Sequence, residues 1–336
     1  MVLKELASEI SPILSNIYNV SIKAGEIPDN WRSAVIIPAF KKGQKYVPAN
    51  YRPISLTCIC CKVIEHIVTS HIMRHAERNN ILYPLQHGFR SKRSCETQLL
   101  ECIDDLTMNL ENGKQTDLLI LDFSNAFDKI SRSLLLHKLY HYGIRGSTNQ
   151  WIQTLYNRTQ VVAVDGETSD KVHVESGVLE GSVLGPSLFL FYINDLPQGL
   201  YSTVCLFADD TVVYLTVSSD SDCSKLQSDL DKLAKWENNW EMEFHPEKCT
   251  VLTVSKKRNP VKWNYTLHGH ILAHETSSKY LGCTISNDLN WSEHINNTTN
   301  KASRSLGFLH RNLHIKSRKI KEQAYKSLVR PQLDKI

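Results

Sequence analysis

The amino-acid sequence predicts an α+β fold with an antiparallel central sheet. Helical and strand-like segments alternate without the regularity of a βαβ protein, which is the first observation behind this prediction. The second is a pair of β-prone runs, 203–206 and 212–215, that flank a short polar step and so predict a hairpin. The third is a buried-type strand over 117–122 that ends on the carboxylate of Asp122.

Two adjacent carboxylates, Asp209 and Asp210, lie at the tip of the predicted hairpin. Like charges this close cannot both stay ionised cheaply without a cation, so a divalent metal is their natural partner. If the strand over 117–122 is a neighbour in the same sheet, Asp122 faces Asp209 and an oxygen-only site suited to Mg²⁺ forms. The alternative is a solvated turn, in which Asp is a favoured residue.

The composition is that of a globular chain of 336 residues, of which 41% are hydrophobic and can form a sizeable core. The cysteines number nine, and an odd count favours reduced thiols in an intracellular protein over a disulfide framework. The sequence has no apolar run of membrane-spanning length and no signal-peptide pattern. We therefore expect a soluble protein of the cytoplasm or nucleus without a membrane partner.

The charge is unevenly distributed, although its net value is only +4. Residues 32–93 hold eleven Lys and Arg against two acids, and residues 301–336 hold ten against two. Two basic regions therefore flank an acidic middle that contains the carboxylates. A single basic run is usually a solvated face, but two that bracket a carboxylate cluster favour a protein that binds a polyanion around a metal centre.

The remaining elements are predicted from apolar periodicity and from turn residues. Ser94 is a candidate helix cap, and Asp165-Gly166 is a hairpin signal. We predict helices over 4–22, 58–79, 94–112, 133–142, 187–196 and 222–240 and in the basic tail from 291, strands over 33–40, 50–55, 160–164 and 171–174, alternating strands and turns over 250–285, and a glycine-rich loop over 176–186.

Eight short motifs follow one another in the chain, and their order is far more specific than any one of them. They are residues 37–43 (Ile37-Pro38 and Lys41-Lys42-Gly43), 50–56, 86–90, 121–128, 181–186, 207–210, 246–249 and 280–282. Together they resemble the reverse transcriptase of non-LTR (LINE-type) retrotransposons of the jockey-like kind, over roughly residues 30–336. The resemblance implies a right-hand polymerase with fingers, palm and thumb and an antiparallel palm sheet.

The resemblance also implies a domain layout and a set of partners. Residues 1–30 would be an N-terminal helical extension, residues 31–285 the fingers and palm, and residues 286–336 a thumb that we expect to be truncated. The expected partners are an RNA template, a DNA primer and dNTPs. The basic tail would follow the duplex backbone through salt-sensitive phosphate contacts.

The catalytic roles implied by the resemblance fall on four residues. Asp122 and Asp209 would bind two Mg²⁺ ions, which Mn²⁺ could replace, with Asp210 beside them. Two metals can activate the primer 3′-hydroxyl and stabilise the leaving pyrophosphate. Lys248 matches a lysine proposed to donate a proton to pyrophosphate, and the alternative is an exposed loop lysine.

Further positions match contacts to the nucleotide and to the nucleic acid. Phe127 matches the steric-gate aromatic that excludes a ribonucleotide 2′-hydroxyl, and the alternative is a phenylalanine of the palm core. Cationic side chains of the fingers would neutralise the triphosphate, and glycines would let the backbone lie close to template and nucleotide. The expected triphosphate contacts are Arg90, Lys41 and Lys42, the nucleotide-side glycine is Gly181, and the template and primer contacts are Arg52, Gly185 and the primer-grip residues Tyr280, Leu281 and Gly282.

The sequence departs from the family pattern just before the glycine-rich motif. Relatives usually read Pro-Gln where this chain has Leu179-Glu180. A carboxylate there would repel phosphate by roughly 3 kcal/mol per charge at about 5 Å and an effective dielectric of about 20. Asn125 stands where lysine is common, which is a milder change. These departures favour a slow or inactive copy.

Three functions compete at this stage. The first is an RNA-directed DNA polymerase, favoured by the three aspartates. The second is a catalytically inactive remnant that binds RNA or an RNA–DNA hybrid, favoured by Glu180 and the short thumb. The third is a metal nuclease built on the same carboxylates, which explains neither the basic fingers nor the glycine-rich loop.

Overall fold

The computed structural model describes residues 2–178, 181–314 and 317–334. Its helices are α1 (Val2–Glu5), α2 (Ala7–Ala24), α3 (Ile59–Arg78), α4 (Cys95–Glu111), α5 (Arg132–His141), α6 (Gly146–Tyr156), α7 (Leu184–Ile193), α8 (Asp220–Trp240), α9 (Ser292–Asn312), α10 (Arg318–Leu328) and α11 (Arg330–Leu333). Its strands are β1 (Ser33–Phe40), β2 (Tyr51–Leu56), β3 (Gln115–Leu121), β4 (Thr159–Val164), β5 (Glu167–Thr168), β6 (Val172–His173), β7 (Thr203–Phe207), β8 (Asp210–Val217), β9 (Thr250–Val254), β10 (Thr266–Leu267), β11 (His270–Ile271), β12 (Ala273–Glu275), β13 (Ser277–Tyr280) and β14 (Cys283–Ser286).

The chain divides into two compact units, each built from segments that are distant in sequence. The first unit comprises Met1–Ser91, Phe123–Gln198 and Lys235–Glu243. The second comprises Lys92–Asp122, Gly199–Ala234 and Phe244–Ile336. The layout of N-terminal extension, fingers with palm, and thumb stays a prediction.

A mixed but largely antiparallel sheet forms the centre of the second unit, in the order β12-β9-β3-β8-β7. Strand β3 pairs antiparallel with β8 on one side and with β9 on the other, and β7 pairs antiparallel with β8. Leu118 and Leu119 on β3 have no exposed surface, as expected for a strand covered on both faces. The predicted antiparallel central sheet is therefore confirmed, with only β12 parallel to its neighbour in this sheet.

Helix α4 of the second unit shows how local sequence fixes an element. Ser94 and Thr97 form a capping box, in which each side chain accepts a hydrogen bond from the other residue's backbone N–H. Cys102, Leu106 and Leu110 form the buried stripe at helical spacing. Helix α4 therefore begins and ends within one residue of its predicted limits.

The first unit combines a small mixed sheet with a helical core. Strand β1 pairs antiparallel with β2 and parallel with β4, which in turn pairs with β5 and β6. Helix α7 is buried along nearly its whole length and packs against α3 and α5. A helix that is apolar on every side has to lie inside a core.

The structure corrects the predicted elements of the first unit in two places. Helix α6 was not predicted, because its first turn begins with Gly146 and other residues of poor helical propensity, yet it buries Trp151 and Leu155 completely. The Asp165-Gly166 turn is confirmed, but the returning strand is split into β5 and β6. Both turn residues have positive φ, at 51° and 92°, as a two-residue hairpin turn requires.

The C-terminal region of the second unit is helical, as predicted, over α9, α10 and α11. In the part of the chain that the structure describes, no helix is long and apolar enough to cross a membrane.

A buried lysine of α5 contacts the end of α7 and the last turns of α8, all within the first unit. Lys138 on α5 is 4% exposed, and its ammonium donates to the carbonyl of Tyr192 and, at 2.6 Å, to Oδ1 of Asp195. The same ammonium lies 3.4 Å from the ring centroid of Trp240, and the Trp236 indole donates to Asp195 at 3.0 Å. Burial, partly offset by Asp195, lowers the pKa of Lys138 to about 8.

Replacement of Lys138 should therefore destabilise the first unit. We expect Lys138→Ala to lower the free energy of unfolding by about 3 kcal/mol, because it leaves the partly buried Asp195 without its cation. The control is Lys129→Ala, which breaks the more exposed ion pair with Glu243 and should cost less than about 1 kcal/mol. Urea unfolding measures both, and equal losses would contradict the structural role of Lys138.

Candidate active site

The three predicted aspartates lie in the second unit, at one end of its central sheet. Asp122 follows the last residue of β3, and Asp210 is the first residue of β8. Phe207 pairs with Asp210, so Ala208 and Asp209 form the two-residue turn of the hairpin. Ala208 has a φ of +53°, in the left-handed region that non-glycine residues rarely adopt. The predicted hairpin is confirmed, with its backbone strained next to the carboxylates.

The register of the sheet explains why distant residues meet here. Leu121 pairs with Thr211, so one further step along the two strands places Asp122 opposite Asp210. Ile120 pairs with Thr250 on the other side, and the chain leaves this ladder before Lys248, which lies in the turn that precedes β9. Cross-strand partners in an antiparallel pair lie on the same face. Backbone pairing therefore places Asp122 opposite Asp210 and not opposite Asp209, which was the predicted partner. Lys248 reaches Asp122 through its side chain.

The backbone of Asp122 is held on both sides by the segment that precedes β9. Its N–H donates to Cys249 Sγ at 3.5 Å, and its carbonyl accepts from the His245 N–H at 2.7 Å. The His245 carbonyl in turn accepts from the Lys248 N–H at 2.9 Å, which makes a tight turn. The Pro246–Cys249 motif thus fixes the end of β3 as well as the position of its own lysine.

The electrostatics of this cluster are those of crowded negative charge. Desolvation, followed by repulsion from Asp209 and Asp122, raises the pKa of Asp210 to about 6. Lys248 Nζ lies 3.1 Å from Asp122 Oδ2, in an ion pair that is about half exposed. The lysine therefore supplies positive charge to a site that otherwise concentrates carboxylates.

The donor chemistry of the cluster suits a hard divalent cation, because all three acidic side chains offer oxygen ligands. Within residues 2–178, 181–314 and 317–334, however, no group of three or more His, Cys, Asp or Glu side chains is arranged as a metal site. The assignment of the three carboxylates as metal ligands stays a prediction.

The predicted primer-grip residues form a second tight hairpin of the same unit. Tyr280 pairs with Cys283, so Leu281 and Gly282 make the turn, both with positive φ (46° and 90°). The Tyr280 side chain is buried close enough to Asp210 for that charge to raise its pKa further, although burial is the main cause. Its hydroxyl has no hydrogen-bond partner among the described residues.

The predicted nucleotide contacts Phe127 and Gly181 belong to the first unit. The Phe127 ring is stacked on that of Phe189, with centroids 4.6 Å apart and planes inclined by 19°, so its orientation is fixed by α7. Gly181 has a φ of +94°, and a Cβ there would lie 3.0 Å from the carbonyl of Ser55. This glycine is required both by its conformation and by the closeness of β2.

Gly185 differs from Gly181, because it lies inside α7 and is buried. Its N–H donates to Ser182 Oγ at 3.0 Å. The structure therefore gives Gly185 a packing role within its unit, and its predicted contact with the template stays a prediction.

Arg90 is already bonded within the first unit. Its guanidinium makes two hydrogen bonds to the Glu77 carboxylate, at 2.9 and 2.8 Å, and donates to the carbonyls of Tyr83 and Gln86. Only 9% of its side chain is exposed. A bidentate ion pair of this kind is among the stronger polar contacts in proteins. A role for Arg90 on a triphosphate would require this ion pair to open.

The other predicted cations of the first unit are exposed. Lys41 and Lys42 begin the loop after β1, and Arg52 lies on β2 opposite Ala39. The positive charge of Lys41 acts on Asp128, although burial outweighs it and raises the pKa of that carboxyl. Their exposure leaves these three side chains accessible to an anionic ligand.

The departure from the family pattern at Leu179-Glu180 lies outside the described residues. The neighbouring Gly177 is described, and sequence reasoning passed over it. It has a φ of +81°, and a Cβ there would meet the backbone of Asp128 at 2.9 Å. The Val178 N–H donates to the carbonyl of Phe127 at 2.8 Å, which ties the glycine-rich loop to the segment of the steric-gate candidate.

Two further polar residues of the first unit were not predicted. Glu65 on α3 is fully buried and accepts hydrogen bonds from the loop before α7. Arg158, immediately before β4, is 2% exposed. Glu65 lies in an apolar stretch that predicts only core, and Arg158 lies between the polar residues Asn157 and Thr159, so no local pattern identifies either as a buried charge. The one available signal was their charge, since a buried Glu or Arg is rare unless it has partners.

Comparisons with known proteins agree with this architecture. Residues 40–285 match the family described as "Reverse transcriptase (RNA-dependent DNA polymerase)". The RNA-directed DNA polymerase from mobile element jockey of Drosophila melanogaster is 29% identical over 306 residues, which cover 87% of this chain and 33% of the relative. The probable RNA-directed DNA polymerase from transposon BS of the same organism is 27% identical over 320 residues, covering 89% and 34%. The chain spans about a third of the length of these relatives.

Solved structures show the same polymerase fold at low sequence identity. Apo telomerase from Candida tropicalis, truncated from its C-terminal domain, has a TM-score of 0.54 at 10% identity, covering 84% of this chain and 59% of that one. Telomerase from Candida albicans in complex with a fragment of telomeric RNA has a TM-score of 0.53 at 12% identity, covering 95% and 57%. The fold and the match over residues 40–285 agree with the order of the motifs. This chain therefore belongs to the reverse transcriptase (RNA-dependent DNA polymerase) family.

Proposed function

We propose that this chain is an RNA-directed DNA polymerase that extends a DNA primer with dNTPs on an RNA template. The observation that carries the proposal is the position of Asp122 at the end of β3, opposite Asp210 on β8 and in an ion pair with Lys248 from the turn before β9. Phosphoryl transfer needs little covalent chemistry from the protein and depends on positioning and charge stabilisation. An acidic cluster at the ends of the strands, with a lysine beside it, supports that chemistry in a chain of the reverse transcriptase (RNA-dependent DNA polymerase) family.

Asp122 and Asp209 would hold the divalent ions, Mg²⁺ or Mn²⁺, with Asp210 beside them. When bound, two such ions would activate the primer 3′-hydroxyl and stabilise the leaving pyrophosphate. The repulsion that raises the pKa of Asp210 supports this assignment, because a cation would relieve it. The ion pair between Lys248 and Asp122 would have to loosen as cations enter, since both compete for the same carboxylate.

The remaining roles fall to the chain's own side chains. Lys248 would then be available to give a proton to the departing pyrophosphate. Phe127, held by Phe189, would exclude a 2′-hydroxyl from the nucleotide site. Exposed cations of the first unit would neutralise the triphosphate and steady the template, and the primer-grip hairpin would hold the primer end. The triphosphate contacts would be Lys41 and Lys42, and the template contact would be Arg52. The primer-grip residues are Tyr280, Leu281 and Gly282.

The proposal predicts that the protein extends a DNA primer on an RNA template in the presence of Mg²⁺ and dNTPs. Asp209→Ala should abolish extension, because it removes a proposed metal ligand while the hairpin can still form. The control is Asp231→Ala, which removes an exposed acid on α8. Extension that survives Asp209→Ala would contradict the proposed site.

Glu180→Gln in the same assay tests the departure from the family pattern. Primer extension by Glu180→Gln but not by the wild type would show a recently disabled polymerase. If neither protein extends the primer but both still bind an RNA–DNA hybrid, the inactive remnant would be favoured over the enzyme.

The crowding of carboxylates predicts a stability effect without metal. The folded-state pKa of Asp210, about 6, exceeds its ordinary value of 3.8. Ionised Asp210 therefore lowers the free energy of unfolding increasingly as pH rises through this interval, and the loss is complete above about pH 6. Asp210→Asn should therefore stabilise the metal-free protein at pH 7.5, by at most about 1 kcal/mol after allowance for solvent screening. The gain should vanish near pH 4.

Urea unfolding in EDTA measures this difference. Asp222→Asn is the matched control with the opposite sign, because hydrogen bonds from Lys225 and the Ser218 N–H lower the pKa of Asp222. Added Mg²⁺ should then raise the melting temperature of the wild type more than that of Asp209→Asn. A wild type that is no less stable than Asp210→Asn at pH 7.5 would contradict the predicted charge crowding.

The stacked position of Phe127 predicts its effect on sugar discrimination. Phe127→Val should lower the preference for dNTPs over rNTPs by about 100-fold, because the smaller side chain leaves room for a 2′-hydroxyl. Phe191→Leu, a change at a buried phenylalanine of α7 itself, should leave the ratio unchanged. Single-nucleotide incorporation kinetics measure kcat/KM for each substrate, and an unchanged ratio in Phe127→Val would return this residue to a core role.

A further inference from the structure

A buried carboxylate of the first unit binds the backbone where the glycine-rich loop enters α7. Glu65 is fully buried on α3, and its Oε2 accepts from the N–H of Val183 at 2.9 Å and from that of Leu184 at 3.2 Å. Its Oε1 accepts from the Cys61 thiol at 3.6 Å. Both carboxylate oxygens therefore accept hydrogen bonds from the protein. Two of the three donors are backbone N–H groups of one short segment.

Glu65 and Ser182 together satisfy the start of α7. The first N–H groups of a helix have no partner within the helix and need an external acceptor. Val183 and Leu184 donate to Glu65, Gly185 donates to Ser182 Oγ, and Pro186 has no N–H. A negative charge at this end of the helix is also favoured by the helix dipole.

The segment that Glu65 holds is continuous with the proposed nucleotide contact. Gly181 lies two residues before Val183 and close against the Ser55 carbonyl, where a Cβ would approach to 3.0 Å. A loop pressed this closely against β2 has little room to shift. The position of Gly181 therefore depends on where Val183 and Leu184 are held.

Two arginines lie around the same buried cluster. The Arg158 guanidinium is 5.2 Å from the ring centroid of Tyr156, and Arg132 lies 5.9 Å from the same ring. Arg132 also donates to the carbonyls of Val174 and Ser176, which fixes the other end of the loop. Burial lowers the pKa of Arg158, although the negative charge of Glu65 acts in the opposite direction.

Holding a charge in this interior is costly, and hydrophobic packing alone would not need it. Glu65 is 0% exposed, and a buried ion is tolerated only when hydrogen bonds and opposite charge compensate it. The compensation here comes from two loop N–H groups, a thiol and a nearby guanidinium. An apolar residue would fill the same space but could not accept the two N–H groups.

We propose that Glu65 is a positioning residue that fixes the glycine-rich loop in its nucleotide-binding geometry through the N–H groups of Val183 and Leu184. The inference rests on the proposed function for the role of Gly181, but the hydrogen bonds themselves do not. Small displacements of a positioning element can cost a large factor in rate even when they originate away from the chemistry.

Two substitutions separate the hydrogen bonds from the charge. Glu65→Ala removes both, whereas Glu65→Gln keeps one side-chain oxygen that can accept from the same N–H groups. The matched control is Asp229→Ala in the second unit. Asp229 is also fully buried and accepts from two consecutive backbone N–H groups, of Tyr201 and Ser202, both at 2.9 Å.

The first readout is primer-extension kinetics, with the dNTP concentration varied at a saturating primer–template. We expect Glu65→Ala to raise the KM for dNTP by about tenfold, and more than it lowers kcat, whereas Glu65→Gln stays within about threefold of the wild type. Asp229→Ala should lower the melting temperature without moving this KM. Equal changes in KM for Glu65→Ala and Asp229→Ala, or a Glu65→Gln variant as impaired as Glu65→Ala, would overturn the proposal.

The second readout is amide hydrogen exchange, which does not depend on activity. The amides of Val183 and Leu184 should exchange about tenfold faster in Glu65→Ala and at wild-type rates in Asp229→Ala. Unchanged rates in Glu65→Ala would overturn the proposed contact. An inactive wild type with the expected exchange pattern would refute the polymerase function and leave the hold on the loop established.

If Glu65→Ala does not fold, a second variant tests the same contact. Ser182→Ala removes the acceptor for the Gly185 N–H at the same helix start, and it should raise the KM for dNTP in the same direction. A Ser182→Ala variant that folds and has an unchanged KM would overturn the role of the loop start.

Discussion

The pairing of β3 with a strand on each side is the constraint on which the candidate active site depends. Because β8 and β9 both run antiparallel to β3, the two registers bring residues far apart in sequence to the end of one strand. Asp122 lies there opposite Asp210, and Lys248 reaches it from the turn before β9. A slip of one residue in the pairing of β3 with β8 would turn the opposing side chain to the other face of the sheet. The geometry of the candidate site is therefore specified by backbone hydrogen bonds of the sheet.

That arrangement carries an electrostatic cost which the rest of the site has to offset. Desolvation and the charges of Asp209 and Asp122 raise the pKa of Asp210, and the backbone at Ala208 is held in a left-handed conformation. Both features are unfavourable in isolation. The ion pair of Lys248 with Asp122 offsets part of the repulsion, and cations bound by the carboxylates would offset more. The proposed catalytic role and the local instability would thus share one origin, the concentration of acidic side chains at a tight hairpin.

The sequence predicted the features that depend on short, continuous segments of the chain. The hairpin at Asp209, the helix cap at Ser94 and the turn at Asp165-Gly166 each depend on residues within a few positions of one another. Contacts made across the fold were beyond it. The bidentate ion pair of Arg90 with Glu77 could not be predicted from a motif that suggested a free cation. The residues near Lys138 in the sequence likewise do not predict the aromatic rings that surround its ammonium. Helix α6 was missed because tertiary burial outweighs the weak propensity of its first turn.

Glu65 and Asp229 are buried carboxylates that each accept from two consecutive backbone N–H groups. Asp229 holds the residues just before β7, at the end of that strand away from Asp209, whereas Glu65 holds the approach to α7 next to the glycine-rich loop. At Glu65, a charge is kept from water so that a segment leading to a proposed functional residue has one position. Such a charge is easier to explain by positioning than by stability, because apolar residues of similar size would fill the same core at lower cost. The precision of the site is therefore supported by residues that no catalytic motif contains.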